Sequence, residues 1–227
     1  SNYMPVSKSQ GFGQYRLNID STGTPSFVVT TTNNTWYSSG TVASGSTALT
    51  TSTWIHLLGT YDGQYVRIYV NGVLAGTGSQ AISGAIVSNT AEFRLGYDTY
   101  GNYFNGQIDE VRLYNRALSV EEATQLYHVN APTGVDTNLK GYWTFDGTDI
   151  SGTTTIDRSG VGNNGTLSGS PTTTEGKVGQ ALSFDGTDDY VQVSGADISA
   201  PCTMSIWTKP SARSTTAAPL FAGTGSY

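Results

Sequence analysis

The sequence predicts an all-β protein with one short helix, on three observations. The first is period-two alternation across 54–72, WIHLLGTYDGQYVRIYVNG. Ile55, Leu57 and Tyr61 fall on one side of an extended chain, and Trp54, His56 and Leu58 on the other; further on, Val66, Ile68 and Val70 oppose Tyr65, Arg67 and Tyr69. The second is turn chemistry. Asp62-Gly63 separates the two runs and Asn71-Gly72 closes the second, and both dipeptides tolerate the positive φ of tight hairpins. The third is composition: 28 glycines and 14 tyrosines beside only 12% charged residues describe a turn-rich β protein, not a helical bundle.

The elements follow in order. Residues 1–14 read as irregular. QYRLNID (14–20) alternates as a strand, 21–25 is a turn, and 26–31 is a second strand. A polar loop (33–45) carries Trp36 and Tyr37. After the meander, 74–84 is rich in Gly and Ser and returns along an edge. EFRLGY (92–97) and 107–114 are strands on either side of a tyrosine-dense loop (98–105). Ser119-Val120-Glu121-Glu122 fits a capping box, with Ala123, Leu126 and Tyr127 behind it, and predicts the helix. Residues 129–138 read as a linker. LKGYWTF (139–145) restarts a strand, 146–174 is turn-rich, and strands follow at 180–184, 190–193, 203–209 and 219–222.

Composition also excludes. A net charge of -6 without a basic run argues against a nucleic-acid partner. No apolar run is long enough to span a bilayer. No signal peptide is visible, but Ser1 is not a natural start, so the N-terminus is expected to have been removed or cut. Cys202 is the single cysteine, so neither an intrachain disulfide nor a thiolate zinc site is expected, and it reads as a small buried hydrophobe. Absence of disulfides is compatible with secretion at this size.

Several longer motifs then agree in type and spacing. WIHLLGTYDGQYVRIYVNGVLAG, EFRLGY and FNGQIDEVRLYNRALSVEEATQLY closely resemble the second half of a laminin-G-like domain of the concanavalin A-like superfamily. LKGYWTFDG, DRSGVGNNGTL, GKVGQALSFDGTDDYVQV and TMSIWTKP resemble its first half. The resemblance implies a jelly roll of two packed antiparallel sheets. It also implies an inverted order: 1–128 as the C-terminal half, 129–138 as a linker, and 139–227 as the N-terminal half, together about one domain. A circular permutation, a cut through tandem repeats and exchange of halves between chains are all open; each half alone would expose an apolar sheet face and unpaired edges.

Two constellations are candidates for chemistry. On the alternation of 107–114, Asp109 shares a face with Val111 and Leu113, where a carboxylate is costly unless paired or bound to a metal. The resemblance implies a structural calcium there, with Asp109 joined by Asp146, Asp185 and the carbonyl of Gly186; Asp157 is a weaker candidate. The alternative is that Asp before Gly caps its own turn, which is the reading taken for Asp20 and Asp62. Trp36, Tyr37, Tyr97, Tyr100, Tyr103 and Asn102 make a rim of loop aromatics with an amide, the chemistry that stacks sugar rings and fixes their hydroxyls; the alternative is rim packing. Trp54, Trp143 and Trp207 read as core.

No triplet of closely spaced acids of the superfamily's glucanase type is present, and His56 and His128 have no recognisable triad partners. The expected function is a non-catalytic extracellular or cell-surface module that binds a glycan or a surface protein. The alternative is a structural repeat unit of a large surface or filamentous protein that self-associates with neighbouring repeats by strand complementation.

Overall fold

The computed structural model describes residues 15–34, 40–87, 92–98, 101–128, 136–211 and, by backbone alone, 218–223. The strands are β1 (Tyr15–Ile19), β2 (Pro25–Val29), β3 (Val42–Ser44), β4 (Ile55–Tyr61), β5 (Val66–Val70), β6 (Val73–Thr77), β7 (Phe93–Leu95) and β8 (Asn105–Tyr114) before the helix α1 (Val120–Tyr127). After it come β9 (Leu139–Trp143), β10 (Ile150–Ser151), β11 (Thr154–Thr155), β12 (Gly165–Ser168), β13 (Thr172–Glu175), β14 (Gln180–Asp185), β15 (Tyr190–Val193), β16 (Cys202–Pro210) and β17 (Ala218–Gly223). The stretch 146–174, read as turns, thus also holds the short strands β10 to β13.

These strands form two antiparallel sheets packed as a sandwich. One runs β10-β11-β12-β15-β7-β17-β1-β2-β3 and the other β13-β14-β8-β16-β4-β5-β6, with β9 also paired to β8. Strands from both ends of the chain interleave in both sheets. β16 lies between β4 and β8, and β17 between β1 and β7. The core takes one of the two faces that the alternation separated: Ile55, Leu57, Tyr61, Val66 and Ile68 meet Leu17, Phe27, Phe93 and Val191 of the facing sheet. Gly59 has no room for a side chain, since a Cβ there would stand 2.3 Å from the Phe27 ring. Trp143 and Cys202 are buried in the core, as read; Trp207 is buried too, but on the outer face of its sheet.

The turn and cap chemistry holds. Asn71 and Gly72 sit at φ +51° and +77° between β5 and β6, which fits a primed hairpin turn. Asp20 accepts from the Thr22 and Thr24 N–H groups, and Asp62 from those of Gln64 and Tyr65. The capping box closes both ways: Glu122 N–H donates to Ser119 Oγ (3.2 Å), and Ser119 N–H to Glu122 Oε2 (2.8 Å). α1 lays Ala123 and Leu126 on a second, smaller apolar cluster with Leu58, Tyr69 and Tyr114, on the outer face of the β4–β5–β8 sheet. No helix among the described residues is long and apolar enough to cross a membrane.

Asp109 corrects the alternation. Ser205 pairs with Arg112 and Trp207 with Asp109, so three steps on β8 match two on β16. The extra residue is a bulge, with Glu110 at φ +53°. The phase flips there: Ile108, Val111 and Leu113 all enter the core, while Asp109 lies beside Trp207 on the outer face.

Candidate functional site

The chain leaves β7 at Gly96 and enters β8 through Asn102, Tyr103 and Phe104. Gly96 (φ +82°) turns it, and a Cβ at that position would stand 2.8 Å from the Phe184 ring. Asp98 holds the loop by accepting from Asn102 N–H (3.1 Å) and Asn102 Nδ2 (2.8 Å). Asn102 is therefore a fixture of the loop. Tyr97 and Tyr103 then bridge, and their rings stack with centroids 4.4 Å apart at 20°.

Tyr190 at the start of β15 extends the cluster, 5.2 Å from Tyr97, and Arg94 lies over both rings at 5.3 and 5.4 Å. Glu92 accepts from Arg94 (3.1 Å) and from Gln192 Nε2 (2.7 Å), linking β7 to β15. The three tyrosines are half-buried. Burial, with Tyr97 and then Tyr190 and Asp188 adding, raises the Tyr103 pKa, so its hydroxyl stays a neutral donor and acceptor. Half-exposed aromatic rings, an arginine and a side-chain amide are groups that stack on sugar rings and hydrogen-bond their hydroxyls. Of the residues expected on the rim, Tyr97, Tyr103 and Asn102 come together; Trp36, Tyr37 and Tyr100 lie outside the described residues. Tyr190 and Arg94 were not anticipated. Alternation could have found them: YVQV points Tyr190 and Gln192 away from the buried Val191 and Val193, and FRL does the same for Arg94.

The expected calcium residues divide into two places. Asp185 pairs with Asn105 in the β14–β8 register, four residues from Asp109 along β8, or about 13 Å. Asp185 and Gly186 belong to the β14–β15 hairpin, where Asp185, Asp188 and Asp189 bring carboxylate oxygens within 4.8 Å of one another. They line a cavity of about 300 Å³ with Ser170 and Ser183. Turn chemistry occupies this hairpin: Asp185 accepts from Thr187 N–H, and Asp189 from the Ser170 and Asp185 N–H groups. Asp157 knots its own loop, accepting from the Tyr142, Ser159 and Asn163 N–H groups.

Asp109 and Asp146 do converge, on the β13–β14 turn (176–179). Asp109 Oδ2 accepts from Lys177 and Val178 N–H (2.8 and 3.0 Å), and Asp146 Oδ1 from Gln180 N–H (2.8 Å). The turn's glycines make room for them. A Cβ on Gly176 would stand 2.7 Å from Asp109 Oδ2, and one on Gly179 would stand 2.1 Å from Asp146 Oδ1. Asp109 Oδ1 is buried with no hydrogen-bond partner. Burial pushes the Asp109 carboxyl up to about 7, against the lowering by the Val178 and Lys177 N–H groups. An orphaned buried carboxylate oxygen, with a second carboxylate hydrogen-bonded to the same hairpin, fits a hard cation, which draws oxygen ligands from carboxylates and carbonyls.

A family model of laminin G type, described as the concanavalin A-like lectin/glucanases superfamily, matches residues 2–124. None of the curated proteins and none of the solved structures matches the chain. The matched span is more than half of the 227 residues and holds the meander, the bulged strand β8 and most of α1. The two-sheet antiparallel sandwich agrees with that match, and on these grounds the chain belongs to the concanavalin A-like lectin/glucanases superfamily.

Proposed function

We propose that this protein is a non-catalytic, extracellular carbohydrate-binding module whose ligand site is the Tyr97–Tyr103–Tyr190 cluster. The observation that carries the reading is the stacked Tyr97–Tyr103 pair with Arg94 laid over Tyr97 and Tyr190. Superfamily membership supports a carbohydrate-binding or adhesion-type module in general. Arg94 and Gln192, both held by Glu92, give the rings a polar frame fixed in place before any ligand arrives. A glycan array tests it. Wild type is expected to bind a defined subset of glycans, and Tyr97→Ala with Tyr190→Ala is expected to lose them while keeping the far-UV spectrum. Undiminished binding by that folded double variant would remove the cluster from the reading.

In this reading calcium is structural, and Asp109 and Asp146 would hold it at the 176–179 turn. It neutralises the buried carboxylate and fixes the hairpin. Thermal unfolding with calcium and with chelator checks this independently: a chelator-sensitive Tm lost in Asp109→Asn is expected, and a Tm indifferent to chelation rejects it.

A further inference from the structure

A second cavity, of about 560 Å³, opens beside the start of the meander. Loop 45–53 forms one wall and the β5–β6 hairpin the other, with Trp54 between them. Sequence alternation reads Trp54 as core. In the structure it is half-buried on the cavity wall, one residue before β4 begins.

Both walls are fixed. Loop 45–53 is tied at three points: Gly45 N–H donates to Pro25 O (2.8 Å), Leu49 N–H to Gly23 O (2.8 Å) and Ser52 N–H to Pro210 O (2.7 Å). The hairpin turn is clamped by α1. A Cβ on Gly72 would stand 3.2 Å from Thr124 Cα and from Tyr127 Cβ, and Thr124 Oγ1 donates to Gly72 O. Asn71 Oδ1 accepts from His56 N–H (2.9 Å), so the group left on its side chain for another partner is the NH₂. A cavity of this size with rigid walls is within the range of small-molecule sites.

The lining selects the ligand by chemistry. Val73 and Leu74 are large apolar residues left 69% and 47% exposed, and with Trp54 they offer an apolar floor. Thr47, Thr50 and Asn71 put hydroxyls and an amide around it. Among the described residues, none that lines the cavity is charged. A purely apolar ligand would leave those polar groups unmatched, and an anionic one would find no cation. A ring with one apolar face and a hydroxyl rim matches both parts.

We propose that this cavity is a second binding site, for an uncharged sugar residue. Trp54 is its stacking platform, with the Thr47 and Thr50 hydroxyls and the Asn71 amide as polar partners. It is separate from the tyrosine cluster and does not depend on that reading. The cluster stands on β7, β15 and the loop after β7, and the cavity on loop 45–53 and the β5–β6 hairpin, whose strands lie in the other sheet from β7 and β15.

The test uses the full chain and a panel of methyl glycosides (glucose, galactose, mannose, xylose, fucose and N-acetylglucosamine). Tryptophan indole N–H signals are followed by NMR, with the Trp54 signal assigned through Trp54→Phe. A saturable shift of that signal is expected with at least one glycoside. Affinity, measured by calorimetry, should fall about tenfold or more in Trp54→Ala and stay unchanged in Val161→Ala, at an exposed position that lines neither site. Leu74→Asp, at an exposed position, should weaken binding without disturbing the fold and decides the matter if Trp54→Ala does not fold. No Trp54 shift with any member of the panel, or wild-type affinity in the folded variants, overturns the proposal. So does a Trp54 response confined to glucuronate or another anionic sugar.

Discussion

Asp109 and Trp207 stand opposite each other in the β8–β16 register, both buried, and each keeps one polar atom, Oδ1 and Nε1, without a hydrogen-bond partner. His56 stands on the other side of Trp207 in the β4–β16 register, its ring 5.3 Å away, and Lys177 lies 4.4 Å over the indole. His56 Nε2 pairs with Ser205 Oγ at 2.8 Å, and its Nδ1 has no partner. Asp109, Trp207 and His56 form a desolvated polar layer on a sheet face, where burial favours the neutral forms of Asp109 and His56.

That layer sets two opposed pH dependences. Burial, with Arg112 adding, pushes His56 down to about 3, and burial pushes Asp109 up to about 7. Asp109 binds its proton more tightly folded, so its contribution is full below about pH 4 and lost as pH rises through 7. His56 binds its proton less tightly folded, so its contribution is full above about pH 6.5 and lost as pH falls toward 3. Burial moves the two groups by comparable amounts in opposite directions, and a difference of one pH unit between folded and unfolded chains is worth about 1.4 kcal/mol. The two nearly cancel between pH 4 and 7. Urea unfolding in chelator is expected to show a shallow wild-type profile, stability falling with pH in His56→Gln, and stability rising with pH in Asp109→Asn. Parallel profiles for the two variants would contradict the pairing.

The bulge at Glu110 places a carboxylate where it is fully engaged. Glu110 is buried, meets Arg112 at 2.5 Å and accepts from the Tyr142 hydroxyl at 3.0 Å on both oxygens, while Arg112 lies 4.1 Å over the Tyr142 ring. Glu110→Gln leaves the Arg112 guanidinium buried without a counter-charge, which is expected to cost about 3–5 kcal/mol. Replacing both by apolar residues, Glu110→Leu with Arg112→Met, is expected to cost less than Glu110→Gln alone. Urea midpoints of the single and double variants measure the difference; a Glu110→Gln midpoint equal to wild type means the pair contributes nothing.

Gly59 faces the opposite sheet where no room is left for a side chain. A Cβ there would stand 2.3 Å from Phe27, whose ring is fully buried, so one sheet or the ring must move. Gly59→Ala is expected to destabilise by about 1–3 kcal/mol. Adding Phe27→Leu should recover part of that loss, a non-additivity that strictly independent sites would not show. Thermal unfolding of the two singles and the double reads it directly.

Local chemistry was legible in the sequence, and register was not. The meander, the Asn71-Gly72 turn, the Asp20 and Asp62 caps and the Ser119–Glu122 box each depend on residues a few positions apart. The face of Asp109 depends on a bulge, which is a count of β8 against β16 and leaves no period of its own. The grouping of Asp109 with Asp185 fails for the same reason, because the β8–β14 register separates them along the strand. Tyr190 joins Tyr97 only because β15 pairs with β7, and Trp54 is half-exposed only because loop 45–53 stands off from it. Alternation assigns a residue to a side of a strand, but what covers that side is set by pairing between distant segments.

The interleaving of strands makes a prediction about the chain as a whole. Residues 139–227 supply β16 and β17, each inserted between two strands of 1–128. Without them β4 and β8 lose their shared neighbour, β1 and β7 lose theirs, and Met204 and Ile206 leave the core shared by both sheets. Fragments 1–128 and 139–227 made separately are each expected to lack cooperative unfolding, since each would expose an apolar face and open edges. Mixed, they should form a 1:1 complex with the far-UV spectrum and the cooperative transition of the intact chain. The intact chain should scatter light as a single chain, because its own two segments already fill the positions that a neighbouring chain would otherwise supply. Two fragments that fold alone and ignore each other would mean that the shared sheets do not hold this protein together.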